Sequence, residues 1–576
     1  MLDILLKNGK LVDGTGTPAR NTDIGIRGNK IVSVGKSDEP AARTIDASGQ
    51  VVAPGFVDIH THYDAQVMWD PVASPSSMHG VTTVIGGNCG FTIAPMKQEH
   101  IEYLSSMLAV VEGMPLESLK AGIHWNWETF GEWLGVLDQR AGVNMGFLVG
   151  HSTIRRLTMG KDSVGHAATK KQVEAQARLL HQCLAEGALG FSSSWSPGHV
   201  DADNEPVPSR HARQDELFAL AAAVREHPGT VLEFAPGIPG VFGDHELNTM
   251  IGMSKRANRS LNWNSFRIQS DDAPFVHDQL NYSRRAEAAG ARVCALTYPE
   301  TTYQLVTLTN PLLWSSLPGW AEVMKVPLDE RIRQMKDPAV RAGLREKGRT
   351  AATSRSPFLK SLALWESLTF AHCALPKNQD LVGKTVGEVA RARSQDALDT
   401  LLDVATEEGL RTYFQQQFPE EDAEVLWKRR ANVWKDRGVI IGSSDAGAHV
   451  DMACGPRYTT ALIGRSVRDR HIISLEDAVR LITDVPARFY GLRGRGRIAE
   501  GWLADVVVFD PAKVDYQPVH LRADFPAGAQ RLYTESSGMS HVFVNGREVA
   551  HAGGYTGNLP GTVLRSGRDT ETVAIA

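Results

Sequence analysis

A helix followed by a short apolar strand recurs in the middle of the chain, and this alternation constrains the fold most strongly. In residues 170–186, KKQVEAQARLLHQCLAE, four apolar residues share one helical face, and Gly187 then ends the helix before the strand ALGFSSS. The helix QDELFALAAAVREH and the strand GTVLEFAPG repeat the unit. Such repeats favour a parallel sheet, either a closed (β/α)8 barrel or an open doubly wound sheet.

Composition excludes several classes of partner. The chain has 576 residues, too many for one hydrophobic core, so we expect more than one structural unit. A formal charge of −5 offers no basic field for nucleic acid, and no apolar run approaches the ~20 residues needed to span a bilayer. No GxGxxG loop follows the early strands, which removes the usual dinucleotide interpretation. We therefore expect a small-molecule substrate, with no nucleic-acid or membrane partner, and leave homo-oligomerisation open.

Cysteine usage favours a reducing compartment. The five cysteines are scattered and make no disulfide framework. The first residues, MLDILLKNGKLVDGTG, lack the basic start and continuous apolar run of a secretory signal. We therefore predict a cytoplasmic location.

Both ends of the chain read as short β-strands. Asn8-Gly9, Gly28-Asn29 and Asn545-Gly546 are tight-hairpin signals between apolar runs, and ADVVVFDP at 504–511 is a further strand. Because chain termini often lie close together, we expect the two ends to pair into one small domain.

Residues 303–430 break the rhythm of the barrel units. The stretch is helix-prone, punctuated by proline, and carries Trp314 and Trp320. A long insertion between barrel units commonly becomes a lid over an apolar substrate, and the alternative is a structural appendage.

Two histidines stand one residue apart in GFVDIHTHYD. On a strand, residues i and i+2 project to the same face, so His60 and His62 emerge together at the strand's C-terminal end, where barrel active sites form. Two neutral imidazoles that converge suit zinc. The alternative is a chance pair among the 19 histidines, and Asp58 either holds one ring or caps the strand.

Two further segments place chemically active residues at strand ends. Cys89 follows an apolar strand in GGNCG, where the glycines allow close backbone approach. Asp445 ends the strand GVIIGSSD, where an aspartate can bind metal and shuttle a proton. The alternatives are an inert core cysteine and a helix N-cap.

The order of these motifs resembles the amidohydrolase superfamily, and within it the D-aminoacylase (N-acyl-D-amino-acid deacylase) family. The resemblance covers most of the chain and includes LLKNGKLVDGTG, GFVDIHTHYD, GNCGFTIAP, WNWETFGEWLGVLDQR, LVGHSTIRR, EGALGFSS, GSSDAGAH, GPRYTTALIGR, GRIAEGWLADVVVFDP and VFVNGREV. It implies an α/β fold: a (β/α)8 TIM-like barrel, a small β-sandwich built from both termini, and a helical insertion. We expect the sandwich at 1–53 and 495–576, the barrel at 54–302 and 431–494, and the insertion at 303–430.

The resemblance also implies a zinc site. His60, His62 and Asp445 would be ligands, Cys89 would stand where many amidohydrolases use a carboxylated lysine, and Asp445 would double as the general base. Weaker correspondences make Tyr298 an oxyanion donor, Arg457 a partner for a substrate carboxylate, and His151 a pocket or core residue.

The chain departs from the family at two strands. The histidine expected on the fifth strand is replaced near Glu233 or Phe234, and that on the sixth by Asn264, with Phe266 in place of a lysine. One zinc ion is therefore predicted rather than two. Glu233 is an alternative ligand, and three further histidines could be recruited in space: His199, His211 and His449.

These observations predict a zinc-dependent hydrolase that cleaves the amide C–N bond of a small N-acylated compound, by resemblance an N-acyl-D-amino acid. Hydrolysis of a cyclic amide or ester on the same scaffold is one alternative. A non-catalytic scaffold that has lost its metal ligands is the other.

Overall fold

The computed structural model describes residues 1–138, 140–237, 242–268, 273–301, 303–311, 313–354, 357–418 and 422–575. The chain divides into two units: residues 1–300, 425–450 and 455–576 form the first, and residues 301–424 and 451–454 form the second. The predicted boundary at residue 302 lies outside the described residues. Within the described residues, no helix combines the length and the apolar character needed to cross a membrane.

Eight short strands of the first unit make a barrel. They are β1 (Phe56–Asp58), β2 (Val81–Gly86), β3 (Asn144–Phe147 with Val149–Gly150), β4 (Gly190–Ser194), β5 (Val231–Ala235), β6 (Leu261–Trp263), β7 (Val293–Thr297) and β8 (Val439–Ile441). Every residue of these strands is buried, as expected for a parallel sheet covered on both faces.

The strand register closes the barrel. Consecutive strands from β1 to β8 pair in parallel, and Leu148 N–H, between the two segments of β3, donates to the Gly86 carbonyl of β2 at 3.0 Å. A parallel bridge between Thr61 and Ala446 joins the chain just after β1 to the chain just after β8. The closed barrel predicted from sequence is confirmed, and the open doubly wound alternative is wrong.

Helices separate the barrel strands in the order that the sequence pattern predicts. The first unit contains helices Ile101–Val111, Leu116–Gly122, Phe130–Leu137, His151–Met159, Lys170–Ala185, Gln214–Val224, Asp244–Ala257, Ala273–Ala288, Glu424–Val433, Tyr458–Ala461, Leu475–Ile482 and Asp484–Phe489. The predicted helix at 170–186 is observed at Lys170–Ala185, and Thr169 caps its N-terminus by accepting from Gln172 N–H.

Both ends of the chain contribute to one sheet. Its strands are Leu2–Leu11, Arg20–Arg27, Lys30–Val34, Ala41–Asp46, Val51–Pro54, Val506–Phe509, Met539–Val544, Arg547–His551 and Gly554–Tyr555. Val51–Pro54 pairs with Val506–Phe509, which joins the two ends. Two small ladders accompany this terminal sheet, Asp515–Tyr516 with Ser536–Ser537 and His520–Arg522 with Arg531–Tyr533.

Two of the three predicted hairpin turns are observed. Gly28-Asn29 and Asn545-Gly546 each connect adjacent antiparallel strands. The turn predicted at Asn8-Gly9 is wrong, because the strand Leu2–Leu11 continues through it with an irregular register. Asn8 takes a φ of 60°, and its backbone N–H donates to the Asp23 carboxylate at 2.9 Å. The local signal therefore marks a bulge instead of a hairpin.

The second unit has its own sheet and core. Leu305–Thr307, Tyr413–Gln415 and Thr369–His372 form an antiparallel sheet in that spatial order, and helices Ala321–Met324, Leu328–Met335, Pro338–Gly348, Pro357–Ala363, Val386–Arg393 and Ala397–Glu407 belong to the same unit. Trp314 and Trp320 are buried and stack at 4.9 Å inside this core. They therefore stabilise the unit itself, and a lid role stays a prediction that these aromatic residues do not support.

Candidate metal centre

Backbone hydrogen bonds at the carboxyl ends of β1 and β8 bring the predicted ligands together. Asp445 N–H donates to the His60 carbonyl at 3.2 Å, and His62 N–H donates to the Ala446 carbonyl at 2.7 Å. The Ser444 hydroxyl donates to the same His60 carbonyl at 3.3 Å. Barrel closure therefore places the HxH segment beside Asp445, although 384 residues separate His60 from Ser444 along the chain.

Four side chains converge at this end of the barrel. Asp445 Oδ1 lies 3.4 Å from His60 Nε2 and 3.2 Å from His62 Nε2. Cys89 Sγ lies 3.7 Å from His60 Nε2, and the donor atoms of the two histidines and Cys89 all lie within 4.8 Å of one another. The structure thus brings together His60, His62, Cys89 and Asp445, the four predicted ligands.

The loop after β2 holds Cys89 in a constrained backbone. Cys89 has a φ of 54° and follows Gly87, whose φ is 74°. A Cβ at Gly87 would stand 2.1 Å from the Leu148 carbonyl oxygen, so this position requires glycine. The loop thereby passes close to β3 and aims the thiol at His60.

Glu233 and Asn264 lie beside Cys89. Glu233 Oε2 accepts from Cys89 N–H at 2.9 Å, and Asn264 Nδ2 donates to Cys89 Sγ at 3.2 Å. Burial raises the pKa of the Glu233 carboxyl well above its usual range. The two side chains therefore contact the cysteine loop, and no described contact joins Glu233 to His60 or His62.

The Cys89 thiol lies in surroundings that disfavour its ionisation. Burial raises its pKa well above the ordinary value, and the nearby carboxylates of Glu233, Glu112 and Asp445 add to the effect. Without a compensating positive charge the group is a thiol, so its use as a ligand requires a cation.

Glu112, which follows the helix Ile101–Val111, completes the surroundings of His62. Its Oε1 lies 3.1 Å from His62 Nδ1, and its carbonyl accepts from His449 N–H. The carboxylate faces Nδ1 and leaves Nε2 toward the cluster, although Glu112 Oε1 makes no hydrogen bond to a described residue. Sequence reasoning missed Glu112, because a glutamate in VVEGMP carries no motif and approaches His62 only in the folded chain.

Asp58 contacts the backbone next to the site. Its Oδ1 accepts from His60 N–H at 3.3 Å, and burial raises its pKa to about 7. Neither His60 ring nitrogen is described as bonded to Asp58, since His60 Nδ1 has no hydrogen-bond partner among the described residues. Asp58 therefore shapes the loop that carries His60.

Asp445 is the accessible member of the cluster. Its φ is 57°, a left-handed conformation uncommon for a residue with a Cβ, and its side chain is 42% exposed. Burial opposes its ionisation, but the hydrogen bonds from His60 and His62 outweigh burial and hold its pKa well below the usual range. The carboxylate is thus ionised and reachable by a substrate.

The three other histidines considered from sequence differ in position. His449 Nε2 lies 4.0 Å from Asp445 Oδ2, at the edge of the cluster. His199 Nδ1 bonds the Ser194 hydroxyl at 2.7 Å, and burial lowers its pKa to about 3. His211 Nε2 accepts from Gly165 N–H at 3.2 Å, which places it in a loop network. Among the described ion pairs, His449 is the one of the three that lies within 4.0 Å of a predicted ligand, and the charges of His62 and Asp445 also act on the His199 imidazole.

The predicted substrate-binding residues already have protein partners. His151 bonds the Ser193 hydroxyl at 2.8 Å through Nδ1 and lies 3.1 Å from Glu216 through Nε2, so it belongs to a buried network. The Tyr298 hydroxyl donates to the Gly455 carbonyl at 3.4 Å.

Arg457 forms an ion pair with Glu300, which lies two residues after Tyr298 in the chain. Its guanidinium lies 3.2 Å from Glu300 Oε2 and stacks over the Tyr516 ring at 4.3 Å. Glu300 also receives Arg465 at 3.0 Å. Two arginines thus share one buried carboxylate, and these three side chains together carry a net positive charge.

The donor set fits a zinc ion. Two imidazole nitrogens, a thiol sulfur and a carboxylate are the ligand types that zinc takes in proteins, and here they converge on one point. Glu112 supplies the outer carboxylate that metal-binding histidines normally have.

Residues 43–550 match the amidohydrolase family. The chain is 28% identical to a D-aminoacylase of Alcaligenes xylosoxydans xylosoxydans, over 98% of its own length and 97% of that protein. It is also 28% identical to an N-acyl-D-glutamate deacylase of the same organism, over 98% of its own length and 96% of that protein. Similarity on this scale extends through the barrel and the terminal sheet.

Solved structures show the same fold. The N-acyl-D-glutamate deacylase of Bordetella bronchiseptica, complexed with zinc and a phosphonate inhibitor, has a TM-score of 0.66 at 23% identity and covers 98% of this chain and 100% of that one. A D-aminoacylase with a binuclear metal center has a TM-score of 0.64 at 24% identity, with the same coverage. The resemblance and the fold class predicted from sequence are confirmed, and the chain belongs to the amidohydrolase family.

Proposed function

We propose that this protein is a zinc-dependent amidohydrolase that cleaves the amide C–N bond of small N-acylated compounds, with N-acyl-D-amino acids as the substrate class. The observation that carries the proposal is the convergence of His60, His62, Cys89 and Asp445 at the carboxyl ends of β1, β2 and β8. The names of the relatives, a D-aminoacylase and an N-acyl-D-glutamate deacylase, support the substrate class.

In the proposed site, His60 and His62 would hold zinc through Nε2, Cys89 through Sγ and Asp445 through Oδ1. Zinc bound there would supply a Lewis acid for the amide carbonyl and lower the pKa of a bound water. Glu112 Oε1 lies 3.1 Å from His62 Nδ1, and Asn264 Nδ2 donates to the Cys89 sulfur. These contacts orient the donors before any metal arrives.

Asp445 is the proposed proton carrier. Its Oδ1 faces the two histidines, and its Oδ2 is directed toward His449 at 4.0 Å. An ionised, accessible carboxylate can accept the proton of the attacking water and deliver it to the leaving nitrogen. The Tyr298 hydroxyl is proposed to donate to the developing oxyanion, a role that requires a donor aimed at the transition state.

We propose one zinc ion per site. A second ion would need donors from β5 and β6, where this chain has Glu233 and Asn264. Glu233 Oε2 accepts from Cys89 N–H, and Asn264 turns its donor nitrogen toward the Cys89 sulfur. Both side chains support the cysteine loop in this arrangement, which favours a mononuclear centre.

The corner around Arg457 supports an acidic group on the substrate. Arg457 and Arg465 share Glu300, so the three side chains carry a net positive charge. Phe266 is buried and stands where the resembled family has a lysine. We therefore propose that a substrate carboxylate is recognised through Arg457 rather than through a lysine on the sixth strand.

The test combines metal content with hydrolysis. Protein purified without chelator is analysed for zinc and assayed against paired D- and L-enantiomers of N-acetyl amino acids. About one tightly held zinc per chain and a preference for the D-series are expected. The double variant His60→Ala/His62→Ala should lose that zinc and all hydrolysis, whereas His124→Ala, at an exposed histidine, should retain both.

An active double variant would contradict the metal mechanism. A chain that holds no zinc and hydrolyses none of the substrates would instead favour the scaffold alternative. A cytosolic location, to which five free cysteines are suited, and the oligomeric state stay predictions.

A further inference from the structure

We propose a second transition-metal site on the terminal sheet, formed by His541, Glu548 and His551. It lies on the hairpin Met539–Val544 and Arg547–His551, whereas the proposed catalytic ligands follow β1, β2 and β8. One ligand atom from each of the three side chains falls within 4.8 Å of the others. The cluster takes no part in the hydrolysis proposed above.

A β-bulge explains how three side chains reach the same face. His541 pairs directly with His551, and Val542 pairs with Ala550, but Phe543 pairs with Glu548. Val549 is therefore an extra residue on its strand. In a regular strand, residues three apart point to opposite faces, and the added residue returns Glu548 to the face of His551.

The three donor atoms are as close as the ligands of one ion. His541 Nδ1 lies 3.0 Å from His551 Nδ1, and Glu548 Oε1 lies 2.5 Å from the first nitrogen and 3.3 Å from the second. Tetrahedral zinc with bonds of about 2.0–2.1 Å separates its donors by about 3.3 Å. The three side chains would therefore need to move their donor atoms only slightly apart to bind a zinc ion.

Glu548 is anchored for this role. Its Oε2 accepts from Arg43 Nη1 at 2.6 Å, so Oε1 is directed to the histidines. An outer partner that fixes a ligand in this way is typical of metal sites.

The cluster is accessible to an ion from solvent. His551 is 52% exposed, whereas His541 and Glu548 are largely covered. A groove of about 760 Å³ adjoins both histidines, and Gln50, Asp510 and Ser540 also line it. Water or an external ligand can therefore provide the fourth donor, and the mixed nitrogen and oxygen set favours zinc over calcium or magnesium.

The test is a titration of the full chain with zinc chloride, followed by calorimetry and thermal unfolding. The wild-type protein should bind one equivalent in addition to its catalytic zinc. His551→Gln and Glu548→Gln should lose that equivalent while retaining hydrolysis. Arg43→Gln should weaken it by about 10- to 100-fold, because the carboxylate loses its anchor.

Two comparisons separate this site from the catalytic centre and from nonspecific binding. The His60→Ala/His62→Ala variant should still bind the terminal-sheet equivalent, so failure of the proposed hydrolase function leaves this test intact. His520→Gln, at an exposed histidine of a neighbouring ladder, should bind as the wild type does. Unchanged zinc stoichiometry and affinity in His551→Gln would overturn the proposal.

Discussion

Two buried histidine–glutamate pairs in the barrel unit have the same distance and opposite electrostatics. His62 Nδ1 lies 3.1 Å from Glu112 Oε1, and His151 Nε2 lies 3.1 Å from Glu216 Oε1. Burial raises the pKa of Glu112 well above its usual range. Burial also opposes ionisation of Glu216, but there His151 and the neighbouring Arg155 outweigh it and lower the pKa to about 2.

A built-in cation accounts for the difference. Arg155 Nη1 lies 2.5 Å from one Glu216 oxygen and 2.6 Å from the other. Glu112, Asp64 and Glu233 have no lysine or arginine among their described contacts. Because buried carboxylates are costly without a paired charge, a positive charge from outside the chain would stabilise their ionised forms in the first region. The proposed zinc ion would supply that charge, whereas the second region is complete as folded.

The largest expected effect is on catalytic activity and belongs to Asp445, in the region of the His62–Glu112 pair. Asp445→Asn removes the proposed proton acceptor and one proposed anionic ligand but keeps the side-chain shape. We expect kcat/KM for the best substrate to fall about 10²- to 10⁴-fold, with an unchanged circular dichroism spectrum. Asp162→Asn, at an exposed aspartate, is the matched control. Wild-type turnover in Asp445→Asn would show that another group carries the proton.

The second region should show its effect in stability. Above its ordinary pKa of 4.5, ionised Glu216 stabilises the fold, and this contribution is lost as the pH falls toward 2. The contribution is on the order of 3 kcal/mol. Glu216→Gln should therefore unfold at a lower temperature than the wild type at pH 6, with a smaller difference at pH 3.

Glu174→Gln, on the exposed face of the helix Lys170–Ala185, should leave both unfolding temperatures unchanged. If the unfolding temperature of Glu216→Gln fell equally at both pH values, packing and not charge would account for the contribution of Glu216 to stability. Ionisation of the glutamate would then contribute less to the difference between the two pairs than the opposite pKa shifts of Glu112 and Glu216 indicate.

Substitution of Glu112 should have a smaller effect, on zinc affinity, that distinguishes the two histidine–glutamate pairs. Glu112→Gln should weaken zinc binding by about 10- to 100-fold, because outer carboxylates orient metal-binding histidines. Its unfolding temperature without zinc should be close to that of the wild type or higher, since a costly buried carboxyl has been removed. Glu102→Gln, exposed on the preceding helix, is the control. Zinc affinity unchanged in Glu112→Gln would reduce Glu112 to a packing residue.

Local patterns predicted the elements and the ligand-bearing strand ends. The period of the helix at 170–186 and the apolar strands around it lie within one or two residues of those observed. The HxH spacing predicted two histidines on one face, which the structure shows. The Asn8-Gly9 turn was predicted wrongly, because the dipeptide signal is the same for a hairpin and for a bulge held by Asp23.

Contacts between distant segments could not be predicted. Glu233 and Asn264 reach Cys89 across 144 and 175 residues, so their function as supports for the cysteine loop emerges only when the barrel closes. The role of Trp314 and Trp320 likewise depends on a core formed by the whole second unit.

The sequence alone determined the alternating units and the terminal strands, because these follow from periodicity, and its resemblance to a known family indicated the four candidate ligands. The tertiary structure alone decided which buried carboxylates have a cationic side chain as a partner. Glu216 pairs with Arg155, whereas the charged or ionisable groups described near the Glu112 carboxyl are His62 and other acids, and such pairing depends on distances in the folded chain. Electrostatic energy varies with spatial separation and burial, neither of which is written in residue order.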